Sequence, residues 1–261
     1  MAVLRPNRHA PIQLILLSSS KNRFEGLLRR SSAGETVWHH HYITLSILER
    51  WMERIAYPYV QGVLLDYGCG AQPYRNLLAA KCTRYMGADV AAAHGVHLDF
   101  LFTPGEPLPI ESQSFDTILS TQTLEHVEDV QGYISECFRL LRPGGHLILT
   151  VPMQWRMHEQ PYDYWRFTRH GVIALVRTGG LTLCDLSPCG GAWALVGQII
   201  NSHLAETGRG SGLIYGIINH LALWADRKAK DEDETVGWMC IAQRPATDRA
   251  HGPSAHGRQA S

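Results

Sequence analysis

Two rhythms of apolar positions alternate along the chain. Short runs at Val63–Tyr67, Arg84–Ala88, Val96–Leu98, Ser114–Ser120, His146–Val151 and Leu181–Leu186 are too brief for helices and predict buried strands. Between them, apolar residues recur every three or four positions. Ile43, Ile47, Leu48, Trp51 and Ile55 predict an amphipathic helix over Val37–Tyr57, placed beside the later strands as a flank or lid. Pro73 can open a helix running to about Lys81. Ile134, Cys137, Phe138 and Leu141 share one face of a helix over Val130–Leu141, which the turn Arg142-Pro143-Gly144-Gly145 ends. Thr168 is placed to cap a further helix to about Arg177, and Gly179-Gly180 to end it.

From 190 to 230 the alternation stops. Two apolar helices are expected near Ala192–Ala205 and Leu213–Lys230, split by Gly208, Gly210 and Gly212. Gly216 and Asn219 weaken the second by propensity. A last strand follows at Thr235–Gln243. The whole pattern predicts an α/β fold: a doubly wound, mainly parallel sheet with a helical insertion before its last strand. Residues 1–35 are expected to be loosely ordered, 36–244 to form the domain, and 245–261 to be a disordered tail.

Composition narrows this picture modestly. Apolar residues make up 45% and charged residues 18%, ample for a core, and the formal net charge is zero. No overall basic field exists to hold a polynucleotide, so no nucleic-acid partner is expected. Six scattered cysteines without a C-x-x-C pair suit reduced thiols in a cytoplasmic protein. Fourteen histidines lack regular ligand spacing, so no metal is expected. The apolar run Ile12–Leu17 is short for a secretory signal, and no stretch reaches membrane-spanning length.

The candidate chemistry gathers at strand ends. Asp66 closes the first strand, and Gly68, Cys69 and Gly70 follow it. Glycines there let the backbone turn with positive φ and approach a ligand at the carboxyl edge of the sheet. Asp89 ends the second strand nineteen positions after Gly70. An acid so placed either bonds ribose hydroxyls or caps the next helix. Position 73 is proline, so the third glycine of a G-x-G-x-x-G dinucleotide fingerprint is missing. The loop Pro152–Phe167 carries Trp155, Arg156, His158, Glu159, Tyr162, Asp163, Tyr164, Trp165 and Arg166, a candidate substrate wall.

The segments LLDYGCG (ending at Gly70), Asp89, Asp99, FDTILSTQTLEHVED (115–129) and LLRPGGHLILTVP (140–152) stand in the order and spacing of one family. Over about residues 60–187 and the last strand, the chain resembles class I S-adenosylmethionine-dependent methyltransferases of the D-x-G-C-G branch. PYDYWRFTRHG (161–171) also looks like a segment of that branch. The resemblance implies a Rossmann-like, seven-stranded methyltransferase fold with its last strand antiparallel between the fifth and sixth. It implies S-adenosyl-L-methionine as cofactor. Asp66, Gly68, Cys69 and Gly70 would lie around its methionine part, Asp89 at the ribose, Asp99 near the adenine, and residues around Thr121–Glu125, Thr121 and Leu124 among them, along the other side.

Methyl transfer from a sulfonium chiefly needs alignment, with a base only where the acceptor must lose a proton. His126, His158 and Tyr162 are the candidates for that step, against packing or capping roles. Trp155, Arg156, Tyr164 and Arg166 are candidate acceptor contacts, although Arg166 can equally pair with Asp163 or Glu159. The expected acceptor is a small molecule or a glycan or lipid precursor. A cofactor-binding module without turnover is the alternative. The helices of 190–230 can cap the acceptor pocket, form a dimer face, or touch a membrane surface, the last making the protein peripheral to a membrane.

Overall fold

The computed structural model describes residues 36–229 and 233–246. The expectations for 1–35 and for the tail beyond 246 fall outside the described residues. A seven-stranded sheet runs through the domain in the order β3-β2-β1-β4-β5-β7-β6. Its strands are β1 (Val63–Tyr67), β2 (Arg84–Asp89), β3 (Phe100–Leu101), β4 (Phe115–Thr121), β5 (Leu141–Pro152), β6 (Thr182–Pro188) and β7 (Gly237–Gln243). β1 to β5 pair in parallel, and β7 is antiparallel to both β5 and β6. The helices are α1 (Tyr42–Trp51), α2 (Arg75–Leu78), α3 (Val130–Leu140), α4 (Arg169–Thr178), α5 (Ala192–Glu206) and α6 (Gly212–Ala229).

Alternating side chains of each strand feed two apolar layers. Leu65, Tyr67, Leu147, Leu149 and Cys240 pack with Tyr133, Ile134 and Cys137 of α3 and Val172 and Val176 of α4. Leu64, Leu119, Ile148, Met239 and Ile241 pack on the other face with Leu48 and Trp51 of α1, Leu78 of α2 and Leu195 of α5. Thr168 caps its helix as the sequence suggested, accepting the Gly171 N–H, and Asp129 does the same for α3 by accepting the Gly132 N–H.

Several boundaries differ from expectation, each for a local reason. The first helix begins at Tyr42 rather than Val37, and continues as a wider turn over Met52–Ala56. The carbonyls of Val37 and His39 are taken by the side-chain amide of Asn219, so this segment is held against α6. The helix after Pro73 has only four residues. Val96–Leu98 is not a strand. The His97 carbonyl is held by the Gln72 side chain, and Asp99 bonds Gly87 through both its N–H and its carboxylate. Ladder pairing starts one residue later, at Ala88 opposite Phe100. β5 starts before the Pro-Gly-Gly turn, with Leu141 opposite Phe115.

Gly216 and Asn219 turn out to be packing positions of α6. A Cβ at Gly216 would collide with the Trp38 ring. Asn219 is fully buried and accepts a 2.7 Å hydrogen bond from Asn201 of α5. Asp226 of α6 accepts the Gly191 and Ala194 N–H groups, capping α5 from its neighbour. The outer faces of this pair expose Trp193, Val196, Ile199, Ile200, Leu213, Ile214, Ile217, Leu221 and Trp224.

Candidate functional site

β1 and β2 deliver their acids to neighbouring points on the carboxyl edge of the sheet. Gly68 follows with φ +75° and Gly70 with φ +48°, a left-handed path that few side chains tolerate. The Gly68 and Cys69 N–H groups donate to the Ala88 carbonyl, fastening the loop to β2. A Cβ on Gly68 would strike the Thr123 side chain, whose hydroxyl donates to the Gly68 carbonyl at 3.1 Å. The loop after β4 thus closes down on the glycine turn.

Asp66 is almost fully buried and accepts a short hydrogen bond from the Tyr85 hydroxyl. Burial pushes its carboxyl up to about 7, against the opposing effect of that bond. Asp89 accepts the N–H groups of Gly70 and Val90 at 2.7 and 2.6 Å, and burial raises its carboxyl too. Asp99 spends one carboxylate oxygen on the Gly87 N–H and has Arg84 3.8 Å from the other, so it also ties β2 to the following segment. Cys69 and Leu124 are buried and Thr121 ends β4. Burial raises the Cys69 thiol well above its ordinary range, which leaves it protonated and inert at neutral pH.

The loop after β5 is sewn onto the segment after β4 by its backbone. Tyr164 and Trp165 donate their N–H groups to the Glu125 carbonyl, and the Trp165 indole donates to the Val127 carbonyl at 2.9 Å. His126 Nδ1 lies 2.7 Å from the Tyr162 carbonyl. These contacts set the rings of His126 and His158 edge to face, with centroids 4.7 Å apart. Glu125 beside them is fully buried, and both its carboxylate oxygens lack a hydrogen-bond partner. Burial pushes it up to about 8, although Arg166 opposes the shift. Burial also lowers His158, favouring its neutral form.

Other expected residues take supporting places. Arg166 is not open to an acceptor: it forks onto Asp163 at 2.6 and 2.9 Å and donates to the Trp155 and Arg156 carbonyls. Burial alone would raise the Asp163 carboxyl, but hydrogen bonds from Arg166 and the His158 N–H hold it at about 2. Arg156 forms an ion pair with Glu206 of α5, tying the wall loop to the helical pair. Trp155 lies beside His41, with ring centroids 5.4 Å apart. Tyr162 contributes its carbonyl, and its side chain stands exposed beside that of Tyr164. Glu125 closes the segment Thr121–Glu125 that the resemblance places along the cofactor, and what the sequence did not reveal is its full burial.

Comparison with known proteins places this architecture. A family model described as a methyltransferase domain matches residues 65–149. The chain is 29% identical over 189 residues to a ubiquinone biosynthesis O-methyltransferase of Cereibacter sphaeroides, covering 59% of this chain and 76% of that protein. It is 33% identical over 99 residues to the Sinorhizobium fredii protein of the same name, covering 34% and 40%. Its fold is similar to the Burkholderia thailandensis 1,6-didemethyltoxoflavin-N1-methyltransferase, solved with 1,6-didemethyltoxoflavin and S-adenosylhomocysteine. There the TM-score is 0.51 at 16% identity, covering 91% of this chain and 93% of that one. The matched segment spans the glycine turn, both strand-end acids and the Glu125-His126 turn, and over these residues the chain matches a methyltransferase domain.

Proposed function

We propose that this enzyme transfers a methyl group to a hydroxyl oxygen of a small-molecule acceptor, held between the glycine turn and the loop 153–168. The observation that carries the reading is the pair of imidazoles, His126 and His158, held edge to face where the loop after β5 folds back on the turn after β4. The residues fit the family's cofactor. The turn at Gly68 is a bare-backbone cradle that a Cβ would fill, and Asp89 ends β2 with a carboxylate whose remaining lone pairs can accept ribose hydroxyls. Asp66, Cys69, Gly70, Asp99, Thr121 and Leu124 complete the lining.

S-adenosyl-L-methionine supplies a methyl group already activated on a sulfonium. The chain's own task is then alignment, worth roughly 7–11 kcal/mol of barrier. On this reading the exposed rings of Tyr162 and Tyr164 offer the acceptor an aromatic surface. The acceptor's hydroxyl proton must leave as the oxygen–carbon bond forms. Neutral His158, held low by burial, is suited to take it. The curated relatives named as O-methyltransferases support oxygen as the accepting atom.

The test is isothermal titration with S-adenosylmethionine, followed by incubation with a panel of phenols, polyols and amines and mass analysis of the products. A gain of one methyl on a phenolic or alcoholic oxygen is expected. Binding without formation of S-adenosylhomocysteine across the panel would instead support a module without turnover. Among the described residues no helix is long and apolar enough to cross a membrane. The exposed apolar faces of α5 and α6 suit a second copy of the chain, because their exposed residues recur at alternating spacings of three and four: 193, 196, 200 and 214, 217, 221, 224.

A further inference from the structure

We propose that His41 is a positioning residue for the loop 153–168: its neutral ring, held by Gln198, seats Trp155 at the start of that loop and lets it go when protonated. The run His39-His40-His41 stands just before α1. Its rings form a row that ends on the loop. His39 and His40 stand 4.3 Å apart between centroids, His40 and His41 4.1 Å, and His41 and Trp155 5.4 Å. Tyr215 of α6 packs on His40 at 5.6 Å.

The side chain of Gln198 in α5 decides the state of His41. It is 2% exposed, and its Nε2 lies 3.1 Å from the His40 carbonyl and 3.0 Å from His41 Nδ1. Its Oε1 accepts the Thr44 hydroxyl at 3.0 Å. A carbonyl oxygen only accepts, so the amide must turn its NH2 group toward His40, and with it toward His41. His41 Nδ1 is then the acceptor, and the ring's proton sits on Nε2. A second proton on Nδ1 would set two donors against each other at 3.0 Å. The resulting cation would stand at the N-terminal end of α1, where the helix dipole opposes it. Burial first, then His40, His39 and Arg156, hold the His41 imidazole well below its ordinary value. Glu206, paired with Arg156, is the acid on that side.

Trp155 is where this network meets the loop. Its ring rests beside His41, and its carbonyl accepts from Arg166, which Asp163 holds in turn. The next residue, Arg156, pairs with Glu206 at the end of α5. The start of the loop is thus fastened to its own far end through Arg166, and to the helical pair through His41 and Glu206. The anchored loop prefers the neutral form of His41. Its anchor is therefore complete above about pH 6.5, the ordinary histidine value, and weakens as pH falls below it. On the methyl-transfer reading the loop is the acceptor's wall, so acid should weaken acceptor binding and leave the glycine turn alone. That consequence rests on the proposed function, whereas the anchor itself does not.

The test uses the full-length protein, without cofactor or acceptor, labelled with 15N in its histidines. Imidazole nitrogen shifts should show His41 as the Nε2–H tautomer at pH 7.5, and still neutral where exposed histidines have titrated. Hydrogen exchange over residues 153–158, corrected for the intrinsic effect of pH, should be about tenfold faster at pH 5.5 than at pH 7.5. His41→Ala should bring the same acceleration at pH 7.5. Gln198→Glu places a carboxylate that accepts from a protonated ring, so His41 should titrate above its parent value and the loop should stay protected at pH 5.5. A merely structural contact predicts no such rescue, and this variant decides the matter if His41→Ala misfolds. Titration of parent His41 at or above about pH 6.5, or loop exchange indifferent to pH and to both changes, would overturn the proposal. With any acceptor of the panel that turns over, His41→Ala should raise its KM about fivefold or more at unchanged S-adenosylmethionine affinity, and an unchanged KM would overturn the positioning role. A loop anchored as described but no methyl transfer removes the methyl-transfer reading alone. Methyl transfer by a protein whose loop exchange ignores His41 removes the anchor alone.

Discussion

The carboxylate of Asp89 accepts the Gly70 N–H at 2.7 Å and the Val90 N–H at 2.6 Å, so the end of β2 holds the glycine turn in place. On the proposed reading this acid bonds the ribose and also fixes the loop beside it, and so contributes twice to cofactor affinity. Asp89→Ala is expected to weaken S-adenosylmethionine binding by roughly tenfold to a hundredfold, from hydrogen bonds to a charged group worth about 1.5–3 kcal/mol each. The fold should survive, because the sheet register does not depend on this side chain. Isothermal titration beside circular dichroism checks both halves, and unchanged affinity would refute the ribose assignment.

Gly68→Ala tests the turn itself. At φ +75° an added Cβ is strained, and it would also meet Thr123. The combined cost is expected to be about 2–4 kcal/mol of stability, with cofactor binding lost. Pairing the change with Thr123→Gly should recover part of the stability, because the collision is relieved and the backbone strain is not. Urea unfolding of the two variants measures the difference, and equal stabilities would show that Thr123 is not the obstacle.

Much of this site was legible because its residues sit at strand ends. Asp66 and Asp89 follow short apolar runs, and parallel strands place such residues on one edge. Segments whose backbone is satisfied by distant side chains were not legible. Val96–Leu98 looks like a strand, yet Gln72 and Asp99 take its hydrogen-bonding role. Asn219 looks like a weak helical residue, yet it binds two carbonyls of the segment before α1. For Arg166 the sequence leaves open an acceptor contact or a pair with Asp163 or Glu159, and the Asp163 pair is the one that forms. The juxtaposition of Glu125 and His126 with His158 depends on how a long loop folds back, which no local pattern encodes.

Asp66 should give stability a defined pH dependence. Its carboxyl is raised to about 7 in the folded protein, whereas an unfolded Asp titrates near 3.9. The folded state therefore binds the extra proton. The stabilisation from this group is complete below about pH 4 and is lost as pH rises toward 7, by at most about 4 kcal/mol. Asp89, Arg75, Tyr85 and Cys69 are the ionisable groups around it. Asp66→Asn keeps an acceptor for the Tyr85 hydroxyl and removes the titration. Urea midpoints at pH 5 and pH 7.5 should differ less in the variant than in the parent. An equal pH 5-to-7.5 difference would assign the dependence to other groups.

The Asp163–Arg166 fork should control the wall loop. Asp163 also accepts the His158 N–H at 2.9 Å, so one carboxylate positions both the arginine and the histidine. Asp163→Ala leaves the guanidinium without its partner at a cost of about 2–3 kcal/mol. Trypsin should then cut after Arg156 or Arg166 much faster, while circular dichroism of the domain stays close to that of the parent. Enzyme turnover should fall with little change in cofactor affinity, since the glycine turn is untouched. Cleavage at the parent rate would mean that the backbone bonds to Glu125 hold the loop without the fork.

The helical pair carries the last prediction. Nine large apolar side chains of α5 and α6 are between 38% and 66% exposed. Apolar side chains exposed together on adjacent helices in this way mark a surface that a partner covers. Alternating spacings of three and four are those of helices that pack on helices. Light scattering on a size-exclusion column should give the mass of a dimer. Ile217→Glu and Leu221→Glu, both at exposed positions, should convert it to a monomer with the melting temperature of the fold otherwise little changed. A monomeric parent would overturn self-association. Sedimentation of that monomer with phosphatidylglycerol vesicles, abolished by the same two changes, would assign the face to a membrane instead.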